Sequence, residues 1–260
     1  MTETELDRVH GAMTAAPEDD AARLRFYERF ADAELFLLLE HEPDDANVSP
    51  VLADIDGVRY ALVFDREERL AEFAGSAAFY AALPGRGLAQ MLAGQGIGLA
   101  LNPEVASSAF LAPPDAVDWL VATLAHAPDE TAARLVEVAP PRGLPEAVRS
   151  ALDRKLGIAA GLAQAAFLVA ARYADGTRGH VLAFVDAAEQ AERALANAAG
   201  EALTFSGIEA GQMDVMFVRS SDAIAARLAK VGLRFDFSAP ERAARPAAPG
   251  SDPARPPKLR

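Results

Sequence analysis

The sequence predicts an α+β protein with two mixed α/β domains, the second of them ferredoxin-like, followed by a disordered C-terminal tail. Short apolar runs of strand length alternate with stretches that have helical spacing through most of the 260 residues. The second half has the order β-α-β-β-α-β-α-β, which is typical of a ferredoxin-like unit with an appended element. Prolines cluster between the two halves and again near the C-terminus, where they indicate a boundary and a tail.

The limits of these units follow from composition. Gly11 and Pro17 interrupt the helical spacing at the N-terminus, so we expect a flexible or weakly helical lead-in. The C-terminal stretch is rich in Pro, Ala and Arg and has too few large apolar residues to form a core. The predicted units are the lead-in, an N-terminal domain, a C-terminal domain and the tail: 1–17, 18–127, 133–238 and 239–260.

The first domain begins with a helix and a buried strand. Leu24, Tyr27 and Phe30 share one face of a helix predicted over residues 18–33. The continuous apolar run over residues 34–40 has the length of a strand that is buried on both faces.

A hairpin is the clearest local signal in the chain. Alternating apolar residues lead up to Asp56-Gly57 and away from it, and this dipeptide favours a two-residue turn. Asp65 is then placed to cap a helix, because Glu68 follows three residues later. Further along, the pattern predicts a strand over residues 77–83, for which a helix is the alternative, and then a helix over residues 88–95.

Residues 94–120 organise the first domain. An alternating apolar strand in this segment ends at Asn102-Pro103, because proline has no N–H to donate to a sheet. Pro114 then suits the first turn of an amphipathic helix. We expect this strand, the Asn-Pro exit and the helix to pack together as one corner.

The second domain is predicted to begin with a short strand and a helix over residues 145–156. A turn over residues 175–179 joins two apolar strands as a hairpin. Asp186 and Ser221 each precede a helical pattern, and both are expected to act as N-caps.

The charge of the chain limits its possible partners. The net charge is −13, and five basic residues against two acidic ones give the tail +3, so residues 1–238 carry −16. An acidic body disfavours nucleic acid and anionic membranes, which proteins bind through Lys and Arg. No apolar run is long enough to span a bilayer.

Cysteine and the N-terminus bear on the compartment. The absence of cysteine excludes disulfides, thiolate metal sites and cysteine nucleophiles. Glu3, Glu5 and Asp7 stand where a secretory signal would be basic. We expect a cytoplasmic protein.

Two motifs resemble the SseB family of "enhanced serine sensitivity" proteins. They are VFDREERLAEF, from Val63, and GIGLALNP, from Gly96. The resemblance covers residues 34–126 and implies an SseB N-terminal domain, with the second half compatible with an SseB C-terminal domain. Glu104 departs from the family pattern, in which a small residue such as glycine is commoner after Asn-Pro.

Four residues are candidates for a ligand site. Asn102 and Glu104 leave the end of a buried strand, and Arg86 and Trp119 are expected beside them. Together they would line a groove for a peptide or a small polar ligand. The alternative is that Asn102 bonds to the backbone of its own turn and that Trp119 is a core residue.

Patterns for cofactors and metals do not meet their requirements. Gly94, Gly96 and Gly98 precede a strand, whereas a phosphate loop lies between a strand and a helix. His41 lies beside acidic residues but has no second histidine one helical turn away. We therefore predict no cofactor and no metal.

Three functional hypotheses follow. The first is a non-catalytic, cytoplasmic SseB-like protein that binds another protein or a small polar metabolite in a regulatory role. The second is an enzyme with a carboxylate-based site near Glu104 and the loop of Asp44 and Asp45. The third is a homo-oligomeric scaffold, in which exposed strand edges of the second domain form a homodimer.

Overall fold

The computed structural model describes most of the chain and confirms the α+β class, with two mixed sheets that are each covered by helices. The predicted tail and the centre of the predicted domain boundary lie outside the described residues, and so do Asp44 and Asp45. The described residues are 3–43, 48–125, 135–159, 161–207 and 213–237.

The first domain contains a sheet with helices on both faces. Its helices are α1 (Glu5–Ala15), α2 (Asp20–Asp32), α3 (Glu67–Ala74), α4 (Gly85–Leu92) and α5 (Pro114–Leu124). Its strands are β1 (Glu34–Leu39), β2 (Leu52–Ile55), β3 (Val58–Phe64), β4 (Phe79–Pro84), β5 (Ile97–Leu101) and β6 (Phe110–Ala112).

The second domain contains the remaining described elements. They are β7 (Leu135–Ala139), α6 (Glu146–Ile158), β8 (Ala165–Tyr173), β9 (Arg178–Val185), a 3-10 turn (Glu189–Ala191), α7 (Glu192–Phe205), β10 (Met213–Val218), α8 (Ala223–Val231) and β11 (Leu233–Asp236).

The first sheet has the strand order β4-β1-β3-β5-β6, and β2 pairs with β3. The predicted hairpin is confirmed, because Ile55 pairs with Val58 across a turn in which Asp56 and Gly57 both have positive φ. Two positive φ angles are what a type I′ turn requires. β3 and β5 run parallel, so their C-terminal ends meet at one edge of the sheet.

The core of the first domain lies between this sheet and the helices α1, α2, α4 and α5. Phe26, Leu88 and Leu99 are among its buried side chains. Phe205 of the second domain also belongs to this cluster, and only 1% of it is exposed. The opposite face of the sheet packs on α3, where Leu70 is buried.

The second sheet has the order β10-β9-β8-β11. β7 pairs with residues 170–173 of β8, with a shift in register between Leu135 and Glu137. β11 pairs with residues 165–168 of the same strand. The order of elements along the chain matches the prediction, but the pairing differs from a ferredoxin-like sheet. That sheet is antiparallel throughout, whereas β9 and β10 are parallel here. α6 and α7 cover one face and α8 covers the other.

The N-terminal segment differs from the flexible lead-in that the sequence predicted. α1 begins with a complete capping box between Thr4 and Asp7, and Leu6 is buried. Gly11 lies inside this helix, and Pro17 falls beyond its end. The capping box and the buried contacts outweigh the cost of one glycine in the helix.

The predicted cap at Asp65 is wrong. α3 follows Arg66, which makes no side-chain capping bond. The carboxylate of Asp65 instead accepts hydrogen bonds from the Thr4 hydroxyl and the Arg69 guanidinium. These long-range partners are invisible to a local capping pattern.

The predicted caps in the second domain are wrong as well. Asp186 has a φ of 48°, and its carboxylate accepts a bond from the backbone N–H of Ser220. α8 begins after Asp222 rather than Ser221, without a side-chain capping bond. Asp186 therefore joins two loops instead of starting a helix.

Along the described ranges, every helix is too short or too polar to cross a membrane.

Candidate functional site

An open hollow of about 390 Å³ lies between α2 and α5. Helical periodicity explains how it forms, since positions i, i+3, i+4 and i+7 of α2 share one face and positions i and i+3 of α5 meet them. The lining residues are Asp20, Arg23, Leu24, Tyr27, Ala116 and Trp119.

An aromatic pair lies in this hollow, with Trp119 exposed and Tyr27 half-buried. The rings of Tyr27 and Trp119 meet edge to face, with centroids 5.2 Å apart and an interplanar angle of 67°. Trp119 is 41% exposed, so the alternative that it is a core residue is wrong. Burial raises the pKa of Tyr27, against the opposing influence of Arg23, so its phenol stays neutral and able to donate a hydrogen bond.

Charged groups border the aromatic pair. Asp20 and Arg23 form an exposed ion pair of 2.7 Å on the first turns of α2. Because both groups remain in water, this pair contributes little to stability. Both remain accessible to a ligand in the hollow.

Asn102 lies in the interior and not in the hollow. It has a φ of 47°, and its side chain is fully buried. Its Oδ1 accepts a hydrogen bond of 3.1 Å from the backbone N–H of Asp65, and its Nδ2 donates one of 3.0 Å to Ser108. The amide thereby ties the end of β5 to the end of β3.

Ser108 extends this contact into a buried ionic network. Its hydroxyl donates to Asp7, whose carboxylate lies 2.5 Å from Arg69, and Arg69 also donates to Asp65 over 2.8 Å. Burial would raise the pKa of Asp7, but hydrogen bonds from Arg69, Ser108 and the Thr4 backbone hold it well below its usual range. The network anchors α1 to α3 and to the loop after β5.

Glu104 is exposed and has a φ of 61°. This left-handed conformation favours glycine, because a Cβ atom is crowded there. The geometry explains why a glycine suits this position better than the glutamate that this chain carries.

A family model for the SseB protein N-terminal domain matches residues 9–119. Residues 9–119 are therefore similar to the SseB N-terminal domain, and this part of the chain is called the SseB domain. Neither the curated proteins nor the solved structures give a significant match to the chain.

The match has two structural consequences. It begins inside α1, so most of that helix belongs to the SseB domain and not to a separate lead-in. It ends at Trp119 and includes α2, so the hollow between α2 and α5 lies within the SseB domain. The second domain lies outside the matched residues.

Arg86 lies at the contact between the SseB domain and the second domain. Its guanidinium donates to Asp32 over 2.5 Å and to Glu201 over 3.0 Å. Lys155 bonds to the same two carboxylates, over 2.6 Å and 2.8 Å. Two cations and two anions thus form one cluster across the domain contact.

A second ion pair extends this cluster. Arg154 lies 3.1 Å from Glu28, which is 1% exposed. Burial raises the pKa of Glu28, although Lys155 and Arg154 act against it. Burial would also raise the pKa of Asp32, but the charges and hydrogen bonds of Lys155 and Arg86 outweigh burial, so the pKa of Asp32 is lowered.

The four candidate residues thus have different surroundings. Trp119 borders the hollow, Asn102 bonds within the interior, Arg86 joins the domain contact, and Glu104 is exposed. Sequence reasoning missed Tyr27 as a site residue, although its helical spacing with Leu24 was visible. In the part of the chain that the structure describes, no group of three or more His, Cys, Asp or Glu is arranged to hold a metal ion.

Proposed function

We propose that this SseB-domain protein is a non-catalytic, cytoplasmic binding module whose docking surface is the α2–α5 hollow. The observation that carries the proposal is the exposed Trp119 ring, fixed edge to face on Tyr27 above a hollow of about 390 Å³. Tryptophan and tyrosine supply much of the binding energy at protein interfaces because a rigid ring buries a large area at a low entropic cost.

A short peptide segment of a protein partner fits this surface better than a small metabolite. Apolar Leu24 and Ala116 lie beside the rings, and Asp20 and Arg23 provide charge at the margin. An apolar centre with a polar rim is the usual anatomy of a protein interface. A small metabolite normally occupies a more enclosed site, in which most of its surface is buried.

The polar groups that would serve an enzyme are engaged elsewhere. Asn102 and Ser108 bond within the interior, and Arg86 bonds to carboxylates at the domain contact. These contacts support a structural role for the polar clusters. The carboxylate-based alternative now depends on Glu104 and on a loop outside the described residues.

The test places a photo-crosslinking amino acid at Ala116 in the hollow and, as a control, at exposed Ala229 on α8. We expect a partner protein to crosslink from Ala116 only. The purified partner should then bind the wild-type chain, and Trp119→Ala should weaken binding by about tenfold or more, as at an interface hot spot. Equal crosslinking from both positions, or unchanged affinity of the variant, would reject this surface.

A homo-oligomeric scaffold is the second candidate. Among the described strands, β10 pairs only with β9, and Val215, Met216 and Phe217 are partly exposed there. An apolar edge strand can pair with another chain. Light scattering after size-exclusion chromatography tests this: a dimer that Val215→Pro converts to a monomer would support it, and a wild-type monomer would exclude it.

A further inference from the structure

We propose that residues 239–260 of the same chain dock into the α2–α5 hollow and compete there with the partner. This inference depends on the proposed function, because it takes the hollow to be a docking surface. It adds the identity of one occupant.

The composition of the tail suits a groove lined by aromatic side chains. Proline-rich segments favour the extended polyproline II conformation, and grooves lined by aromatic side chains recognise it. Tyr27 and Trp119 provide such a lining, with Leu24 beside them. The tail contains six prolines: Pro240, Pro246, Pro249, Pro253, Pro256 and Pro257.

The charge of the tail is opposite to that of the rest of the chain. The tail carries +3, whereas residues 1–238 carry −16. Asp20 lines the hollow, and exposed Glu18, Asp19 and Asp115 lie next to its lining residues along the chain. Arginines in the tail can pair with these carboxylates and can also stack on the aromatic rings.

The tail begins close to the helices that pack beside the hollow. Phe237, at the end of the described chain, is buried in the layer formed by α6 and α7. The other end of that layer meets α2, because a Cβ atom built on Gly207 would lie 4.0 Å from Leu24. Leu24 lines the hollow, so the tail leaves from the layer that packs beside its proposed site.

The length of the tail is sufficient for this path. An extended polyproline segment rises about 3.1 Å per residue, so the tail can span up to about 70 Å. The 14 residues of α7 cover about 21 Å. A tethered segment of this kind reaches an effective concentration of the order of 1 mM, so even weak docking fills the hollow appreciably.

Trp119 is the only tryptophan of the chain, so its fluorescence reports on the hollow. The test measures acrylamide quenching of Trp119 in the full-length protein and in a full-length variant with all six tail prolines changed to alanine. A second variant replaces the five basic tail residues with glutamine. We expect both variants to be quenched more strongly, by about twofold if the docked state is half populated in the wild type.

The matched control is Ala243→Ser, Ala247→Ser and Ala248→Ser, which keeps every proline and every charge of the tail. It should be quenched like the wild type. A synthetic peptide of residues 239–260 should restore protection to the proline variant, while a peptide with its basic residues changed to glutamate should not. Identical quenching in the wild type and both tail variants would overturn the proposal.

Two further outcomes separate the proposals. Docking within one chain requires quenching that does not depend on protein concentration, whereas a concentration-dependent change would assign the tail to a second copy and overturn the intramolecular arrangement. If the partner still crosslinks from Ala116 while the tail variants leave Trp119 unchanged, the proposed function stands and the tail inference fails. If the tail protects Trp119 but no partner crosslinks from Ala116, docking of the tail stands and the proposed function fails.

Discussion

The ammonium group of Lys155 in the second domain lies 2.6 Å from the carboxylate of Asp32 in the SseB domain. The same group bonds to Glu201, and Arg86 bonds to both acids from the other side. Charges so arranged hold the two domains in one orientation, because each of the four groups has one partner in its own domain and one in the other.

Removal of Lys155 should therefore be costly. Lys155→Ala leaves Asp32 and Glu201 close together at a largely buried contact, and we expect the free energy of unfolding to fall by about 3 kcal/mol. Urea denaturation measures this change. Arg149→Ala, which removes an exposed pair with Glu146, is the control and should cost less than about 1 kcal/mol. Equal effects of the two substitutions would contradict the role given to the cluster.

Asp7 should make the SseB domain sensitive to acid. Its pKa is lowered in the folded state, so the folded protein holds this proton less tightly than the unfolded chain does. Its stabilising contribution is complete above the pKa of an unfolded aspartate, ~3.9, and is lost as the pH falls below that value.

Unfolding free energies measured from neutral pH to acid pH test this prediction. Asp7→Asn should be less stable than the wild type at neutral pH, and its stability should fall less steeply below about pH 4. An unchanged slope in the variant would show that other carboxylates govern acid unfolding. Asp19→Asn, at an exposed position whose ion pair measures 3.6 Å, serves as the control.

Replacement of Glu104 by glycine should stabilise the protein. Glu104 has a φ of 61°, so Glu104→Gly relieves a conformation that crowds Cβ, and we expect a gain of about 0.5–1 kcal/mol. The same replacement at exposed Glu72 within α3 should instead cost about 1 kcal/mol. Thermal denaturation of both variants checks the opposite signs.

Gly98 should not tolerate a methyl group. A Cβ atom there would lie 2.5 Å from the carbonyl oxygen of Ala112 and 2.6 Å from the Tyr60 ring. Because the carbonyl belongs to the paired strand β6 and cannot easily move, Gly98→Ala should cost about 2–3 kcal/mol. Gly11→Ala is the control, since its Cβ position lies more than 4 Å from every part of the described protein beyond its own stretch of helix, and it should be neutral or stabilising.

Local patterns predicted the elements well. Asp56 and Gly57 gave the hairpin because the turn depends on the conformations of those two residues alone. The alternation from Ile97 to Leu101 likewise predicted β5, which is buried at every position. Asp65 failed as a cap because its carboxylate is held by Thr4, 61 residues away in the chain.

The candidate site was harder to predict for the same reason. The placement of Arg86 depends on Glu201, 115 residues further along the chain, and nothing in the sequence near Arg86 indicates that partner. Trp119 was predicted as a site residue, but its orientation on Tyr27 depends on how α2 and α5 approach each other. Side chains that serve long-range contacts cannot be told from ligand-binding ones by residue type.

Phe205 extends from α7 into the interior of the SseB domain, where it joins Phe26 and Phe30. Phe205 thus lies outside the residues that match the family model, although its ring fills part of the interior of that domain. An SseB domain severed from its C-terminal half would have a void where this ring sits and would expose apolar surface on α2. Dissection of this protein into halves would consequently damage the half that was meant to be preserved.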